Sequence, residues 1–531
     1  AWDGRMASRR CVGTAAPLTS FEVLKASAVD DHIDFTGKDA HWPDARARKS
    51  GLLDRASALA AMQNLPQFLQ KLPKAELHVH VEGTLTAERA HDIAVRNRLP
   101  NAAAFDPAKA AAARAGYVEG ADVQVYCEGE NALNAFLTEY NRCSACYRTE
   151  QDFYDVMTDY LRRAAADGVV RAEIFFDPQT HCFGDVSGSA VDPAARDPTG
   201  VGPAKLPYGT VLSGLWRAAE DGREAFGVES ALILSFLQDR SLEEAMAVLD
   251  EALKPGNVSK IVGVGQDNGT GPFGPGSTSR FLPAYRRAKE AGLRLVCHAG
   301  EEEGAANVAM ALDTLQVERV DHGVRSLEDA SVVARLARQG TPLTVCPLSN
   351  LRMQIQARFF CGACPVRPLL EAGVKARRTQ ETHPRPEAGD QAHCDSRQRS
   401  RTRAPDGHCS LSPGRLGRSL MAGADGPQPA AASPRLQVTL NSDDPAYFSL
   451  GRVDAASRAL DEATYDGFVA SNYLYAARDC GLTADECVIL ARNSLEACFV
   501  DGATKARYVE RLRAYCDGWR PAPRDEPFER P

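Results

Sequence analysis

The chain has 531 residues, 44% hydrophobic and 25% charged, enough to bury a sizeable core in one large domain or two to three ordinary ones. Its net charge of −8 argues against a nucleic-acid-binding surface, which is normally basic. No stretch reaches the roughly 18 uninterrupted apolar residues of a membrane span, and the first thirty residues lack the basic-then-apolar layout of a secretory signal, so the expected location is the cytoplasm, with the nucleus as a second compartment.

Residues 1–61 are polar, with Arg and Asp clusters and little periodicity; they are expected to be a disordered or non-native extension, with Met62 as the functional start. From 62 to 516, short apolar strand candidates alternate with longer helical patterns. Strands are expected at 76–81, 170–176, 230–236, 261–265, 293–298, 319–322, 342–346 and 437–441, and helices include 150–166, 241–253, 279–291, 307–315 and 327–339. No glycine-rich phosphate turn follows the first strand. Eight β-then-α units therefore predict an α/β chain folded as a closed parallel (β/α)8 TIM barrel with C-terminal helices, rather than an open doubly wound sheet. Residues 517–531, rich in Pro, Arg and Glu, are expected to be a flexible tail.

Two segments interrupt the barrel pattern and are expected to be disordered insertions. Residues 183–205 are rich in Gly, Pro, Asp and Ser and follow strand two. Residues 376–435 contain no Val, Ile, Phe, Tyr or Trp and carry ten arginines against six acids; such a composition cannot bury enough surface to offset the entropy of ordering. This second segment falls before strand eight, on the face opposite the expected chemistry, and loop closure cost grows only logarithmically with length. Its His393-Cys394 and His408-Cys409 pairs resemble metal spacing, but nothing nearby would hold the ligands still. The fifteen cysteines lack framework spacing and suit reduced thiols, and the Cys143/Cys146 and Cys361/Cys364 pairs read as ordinary buried thiols.

The chemistry-bearing residues sit at or just beyond strand ends, the face on which such barrels build active sites. Alternate strand residues share a face, so His78 and His80 both project into the barrel mouth. His298 ends an apolar strand and is followed by Ala-Gly, which lets the backbone turn tightly. Glu301 comes shortly after, Asp321-His322-Gly323 ends strand six, and Asp443 and Asp444 follow strand eight. Burying two adjacent carboxylates needs a cation or a shared proton. Three histidines and one aspartate suit one zinc ion per chain, although iron or cobalt accept the same ligands.

In combination, Pro73-Lys-Ala-Glu-Leu-His-Val-His80, His298-Ala-Gly-Glu301, Asp321-His-Gly323, Cys346-Pro-Leu-Ser-Asn350 and Asn441-Ser-Asp-Asp-Pro445 resemble the adenosine/adenine deaminase family of the amidohydrolase superfamily, over roughly 65–183, 206–375 and 437–500. The resemblance implies His78, His80, His298 and Asp443 as zinc ligands. It implies Glu301 as proton donor to purine N1, His322 as the base that orients and deprotonates the attacking water, Asp444 as a partner of that water and of the substrate, and Gly300 against the ring. A Glu301 that must be protonated when substrate binds should sit in a dry pocket that raises its pKa. The segment Phe175-Phe-Asp-Pro-Gln-Thr-His181, with Glu82 and Asp267 as substrate-binding candidates, resembles the free-base branch.

The implied reaction is zinc-dependent hydrolysis of adenine to hypoxanthine and ammonia in purine salvage. Alternatives are adenosine deamination and a catalytically impaired isoform or binding-only barrel. The implied partner is a small purine, with no nucleic acid or membrane; the sequence does not set the oligomeric state. Deleting 376–435 would join Gly373-Val-Lys375 smoothly to Leu436-Gln-Val, as the family would, so the segment is expected to be translated non-coding sequence, an idea that an abundant transcript carrying it would defeat.

Overall fold

Eight strands alternate with helices along the chain: β1 (Lys74–Glu76), β2 (Val169–Phe176), β3 (Glu229–Phe236), β4 (Ile261–Gln266), β5 (Arg294–Ala299), β6 (Arg319–His322), β7 (Leu343–Val345) and β8 (Val438–Leu440). Each pairs in parallel with the next in sequence order, from β1 to β8. The computed structural model describes residues 65–100, 102–108, 132–184, 204–267, 277–360, 362–372, 436–448 and 466–519, all within the unit Leu59–Pro531. The expected extension 1–61, residues 185–203 of the first expected insertion, all of 376–435 and the chain beyond 519 lie outside the described residues.

The seam that makes this sheet a barrel runs through the signature residues. The first strand, expected over 76–81, keeps a regular ladder only over Lys74–Glu76. Beyond it the Asn441 side chain takes a ladder position, its Oδ1 accepting the Leu77 N–H at 2.8 Å. The chain then stays pinned on both sides. Asp443 N–H donates to His78 O and His80 N–H to Asp443 O, each at 3.0 Å, while Phe175 N–H bonds Val79 O and Val81 N–H bonds Phe175 O at 2.9 Å. Residues 77–81 thus bridge β8 and β2 without the repeating pattern of a strand.

Alternation along β2 sets the layers inside the barrel. Glu173 lies low, in a fully buried ion pair with Arg319 of β6 at 2.8 Å. Phe175, two residues on, forms an apolar layer with Ile233 and Val296. Asp177, two further on, reaches the level of the histidines. The opposite strand faces pack against helices such as Glu150–Ala166, whose buried Phe153, Val156, Met157, Tyr160, Leu161 and Ala164 recur at helical spacing, and whose start is closed by a Thr149/Asp152 capping box.

One expectation is overturned. Cys364, read as a reduced thiol, is bonded to Cys480, 116 residues away, with 5.6 Å between the Cα atoms. Sequence spacing does not reveal such a pairing, because the two segments meet only through the fold. No helix among the described residues is long and apolar enough to cross a membrane.

Candidate active site

All four residues expected to hold a metal converge at the C-terminal mouth of the barrel. Ligand atoms of His78, His298, His322 and Asp443 lie within 4.8 Å of one another, all on buried residues. His80 joins them: its Nε2 is 3.3 Å from His298 Nε2 and 3.7 Å from Asp443 Oδ1. The structure therefore gathers five donors where a tetrahedral ion with an open position needs fewer, and His322 shares the centre with the expected ligands. Two backbone departures bring successive residues to the same place. His322 (φ 60°) and Asp443 (φ 66°) are left-handed without being glycine, a conformation costing on the order of 1–3 kcal/mol that persists where surrounding structure demands it.

Proton positions around His78 show what the centre lacks. Thr344 Oγ1 donates its only proton to Asp321 Oδ1 at 2.8 Å, so it can only accept from His78 Nδ1, 3.0 Å away. On a neutral ring the His78 proton is therefore on Nδ1, which leaves the Nε2 lone pair 3.2 Å from Asp443 Oδ1. Nε2 is buried and has no hydrogen-bond partner. Two electron-rich atoms facing each other in a dry site repel unless a cation lies between them. The donor set fits a metal ion on that ground.

The charges are consistent with that fit. Burial opposes ionisation of Asp443, yet the surrounding imidazoles, His78 first among them, hold its carboxyl well below the usual range. Burial and the neighbouring histidines push His298 well down. Burial likewise lowers His322 to about 3 against the pull of Asp443, so its ring is neutral at neutral pH. Burial and the Asp443 charge push the Asp444 carboxyl well up.

The other expected site residues lie around this centre. Glu301 is buried, with Oε2 3.4 Å from His322 Nε2. Gly300 is left-handed (φ 71°), and its N–H donates to Asn307 Oδ1 at 3.3 Å. Glu82 Oε1 accepts from Asp177 N–H at 3.1 Å and lies 3.0 Å from His181 Nε2; burial and the Asp177 charge raise its pKa. Asp267 Oδ1 accepts from Gln238 N–H at 2.9 Å, and burial with the Asp177 and Asp239 charges pushes its carboxyl well up.

A sequence profile of the adenosine deaminase family matches residues 73–379. An adenine deaminase from Albidiferax ferrireducens is 35% identical over 452 residues, covering 85% of this chain and 96% of its own. One from Streptomyces coelicolor is 36% identical over 449 residues, covering 84% and 96%. The crystal structure of adenine deaminase from Arthrobacter aurescens superposes with a TM-score of 0.56 at 30% identity, covering 84% of this chain and 99% of its own. The chain belongs to the adenosine deaminase family.

The family match ends before Asp443 and Asp444, four residues into 376–435. The fold nevertheless returns both aspartates to the histidines, through the backbone bonds of the barrel seam. Gly83 shows how closely they fit: a Cβ there would overlap Asp444 Oδ1. Because that Cβ would also stand 2.7 Å from Asp444 Cα, Gly83→Ala is expected to displace both the carboxyl and its backbone, lowering Tm and lowering kcat by about 100-fold, the cost of a misplacement near 1 Å. Kinetics and thermal unfolding of the same preparation check this; unchanged kcat would mean that Asp444 can move aside without consequence.

Sequence reasoning missed the groups that hold the donors in place. Ser349 donates to Asp443 Oδ2 at 2.7 Å, and Asn350 Nδ2 is 3.3 Å from His322 Nδ1; both sit in the Cys346–Asn350 motif, which was the available signal. Thr344 behind His78, and Tyr140 with its bond to Asp177, carried no sequence signal because their partners are distant along the chain.

Proposed function

We propose that this chain is a zinc-dependent adenine aminohydrolase, converting adenine and water to hypoxanthine and ammonia as a purine-salvage step. The bare His78 Nε2 facing Asp443, with His80 and His298 beside them, carries the metal part of this reading. The adenine deaminases that match over most of their length support the substrate.

Three imidazole nitrogens and one carboxylate oxygen from His78, His80, His298 and Asp443 suit a borderline ion such as zinc. When bound, the ion's contribution is to bring a water's pKa toward about 7, so that a nucleophile is available at neutral pH. His322 is left to orient that water and take its proton. Asn350 Nδ2 stands 3.3 Å from His322 Nδ1, so the Nε2 lone pair for this role requires the amide to be turned over, its partnerless Oδ1 then accepting from Nδ1–H. Glu301 delivers a proton to purine N1, relieving charge on the ring as water adds at C6; the proton His322 took from the water passes to the amino group, which departs as ammonia as the C6–N bond breaks, and the C6 hydroxyl proton returns to Glu301. Asp444 bonds the water and the base, Gly300 lies against the ring, and Glu82 and Asp267 contact the substrate.

Ammonia release from adenine and adenosine, compared side by side, tests the reading. Adenine is expected to be favoured in kcat/KM by a factor on the order of 10² or more. Preference for adenosine would replace it with the nucleoside reading, and zinc binding without turnover of either would make the chain a binding-only barrel.

A further inference from the structure

Asp177 occupies the N-cap position of the helix Pro178–Phe183, where an aspartate ordinarily accepts a backbone N–H; here its side chain makes no capping bond. The carboxylate turns into the barrel instead. Its Oδ2 accepts the Tyr140 hydroxyl proton at 2.6 Å, from the helix Ala132–Ser144. Its Oδ1, buried and without a hydrogen-bond partner, stands 3.8 Å from His80 Nδ1. The other nitrogen of that ring, Nε2, faces His298 and Asp443. The two nitrogens of His80 thus have two separate addressees, the shared centre and Asp177.

Each neighbouring donor is backed in a comparable way. Thr344 and then Asp321 stand behind His78, Asp321 Oδ2 lies 3.8 Å from His298 Nδ1, and Ser349 bonds Asp443. A carboxylate behind a ligating imidazole fixes which nitrogen keeps the proton and makes the other a better donor. We propose that Asp177, itself fixed by Tyr140, is the positioning residue that aims His80 at the metal. The inference rests on the zinc reading above. It also ties metal affinity to Tyr140, a residue outside the barrel strands.

The test uses the full chain and measures zinc affinity by chelator competition, the Tm of the metal-free form, and kcat and KM at saturating zinc. Asp177→Ala is expected to weaken zinc binding about 10–100-fold. Asp177→Asn, which keeps an acceptor oxygen toward His80 Nδ1, should recover part of that loss. Tyr140→Phe should weaken binding by less than Asp177→Ala, with most of kcat restored by excess zinc. Zinc affinity within twofold of the unaltered chain in both Asp177 variants, or a fall in Tm with unchanged affinity, overturns the proposal. An unaltered chain that binds no zinc would instead bring down the reading on which it rests.

Discussion

Glu301→Ala is expected to keep its zinc and lose turnover by about 10²–10⁴-fold, the usual worth of a positioned general acid. The reasoning is geometric. Glu301 is not one of the donors gathered at the centre; it sits beside them, buried, with Oε2 3.4 Å from His322 Nε2. Its removal leaves His78, His80, His298 and Asp443 in place and takes away the group assigned to protonate the ring. Glu301→Gln should be nearly as slow, since an amide of the same shape cannot deliver a proton. Zinc content and ammonia release from the same preparation read the two effects separately. Turnover within tenfold of the unaltered chain would remove Glu301 from its role, and loss of zinc would make it part of the metal cluster.

Asp443→Asn should have the largest effect of all on metal retention. Asp443 supplies the anionic donor of the proposed ligand set, and its carboxylate is held ionised in a dry site by the imidazoles around it, with Ser349 donating to its Oδ2. Asparagine is the informative replacement because Asp443 is left-handed (φ 66°), a conformation that asparagine tolerates and alanine does not. The backbone bonds to His78 and His80 can therefore survive. Zinc affinity should fall by more than the roughly 10–100-fold lost when a group behind a ligand is removed, with turnover below detection until zinc is added in large excess. Stoichiometric zinc at unaltered affinity would show that Asp443 is not a ligand.

Much of this was legible in the sequence, for a physical reason. A strand buried on both sides reads as a short apolar run, and a polar residue ending such a run stands out; His298 and Asp443 were visible on that account, whereas His322 was visible through the Asp321-His322-Gly323 motif. The helix expected at 150–166 is found at Glu150–Ala166, where apolar spacing and a capping box agree. The first strand was displaced because Asn441 and Asp443 take over its partner positions, an exchange between residues some 364 positions apart. Asp177 was hidden differently: Asp-Pro at the start of a helix reads as a cap, and only the fold shows the carboxylate turned away from that task. The Cys364–Cys480 bond was unreadable, since an excess of cysteines permits many pairings.

The barrel closes where Asp443 exchanges backbone bonds with His78 and His80. Three of the proposed ligands are thus also the stitches between the first and last staves of the cylinder. By mass action, whatever binds them in the folded chain and not in the unfolded one shifts the folding equilibrium by RT ln(1 + [L]/Kd). Here that gain would fall on the joint where the sheet meets itself, so an ion bound at the site would brace the first stave against the last.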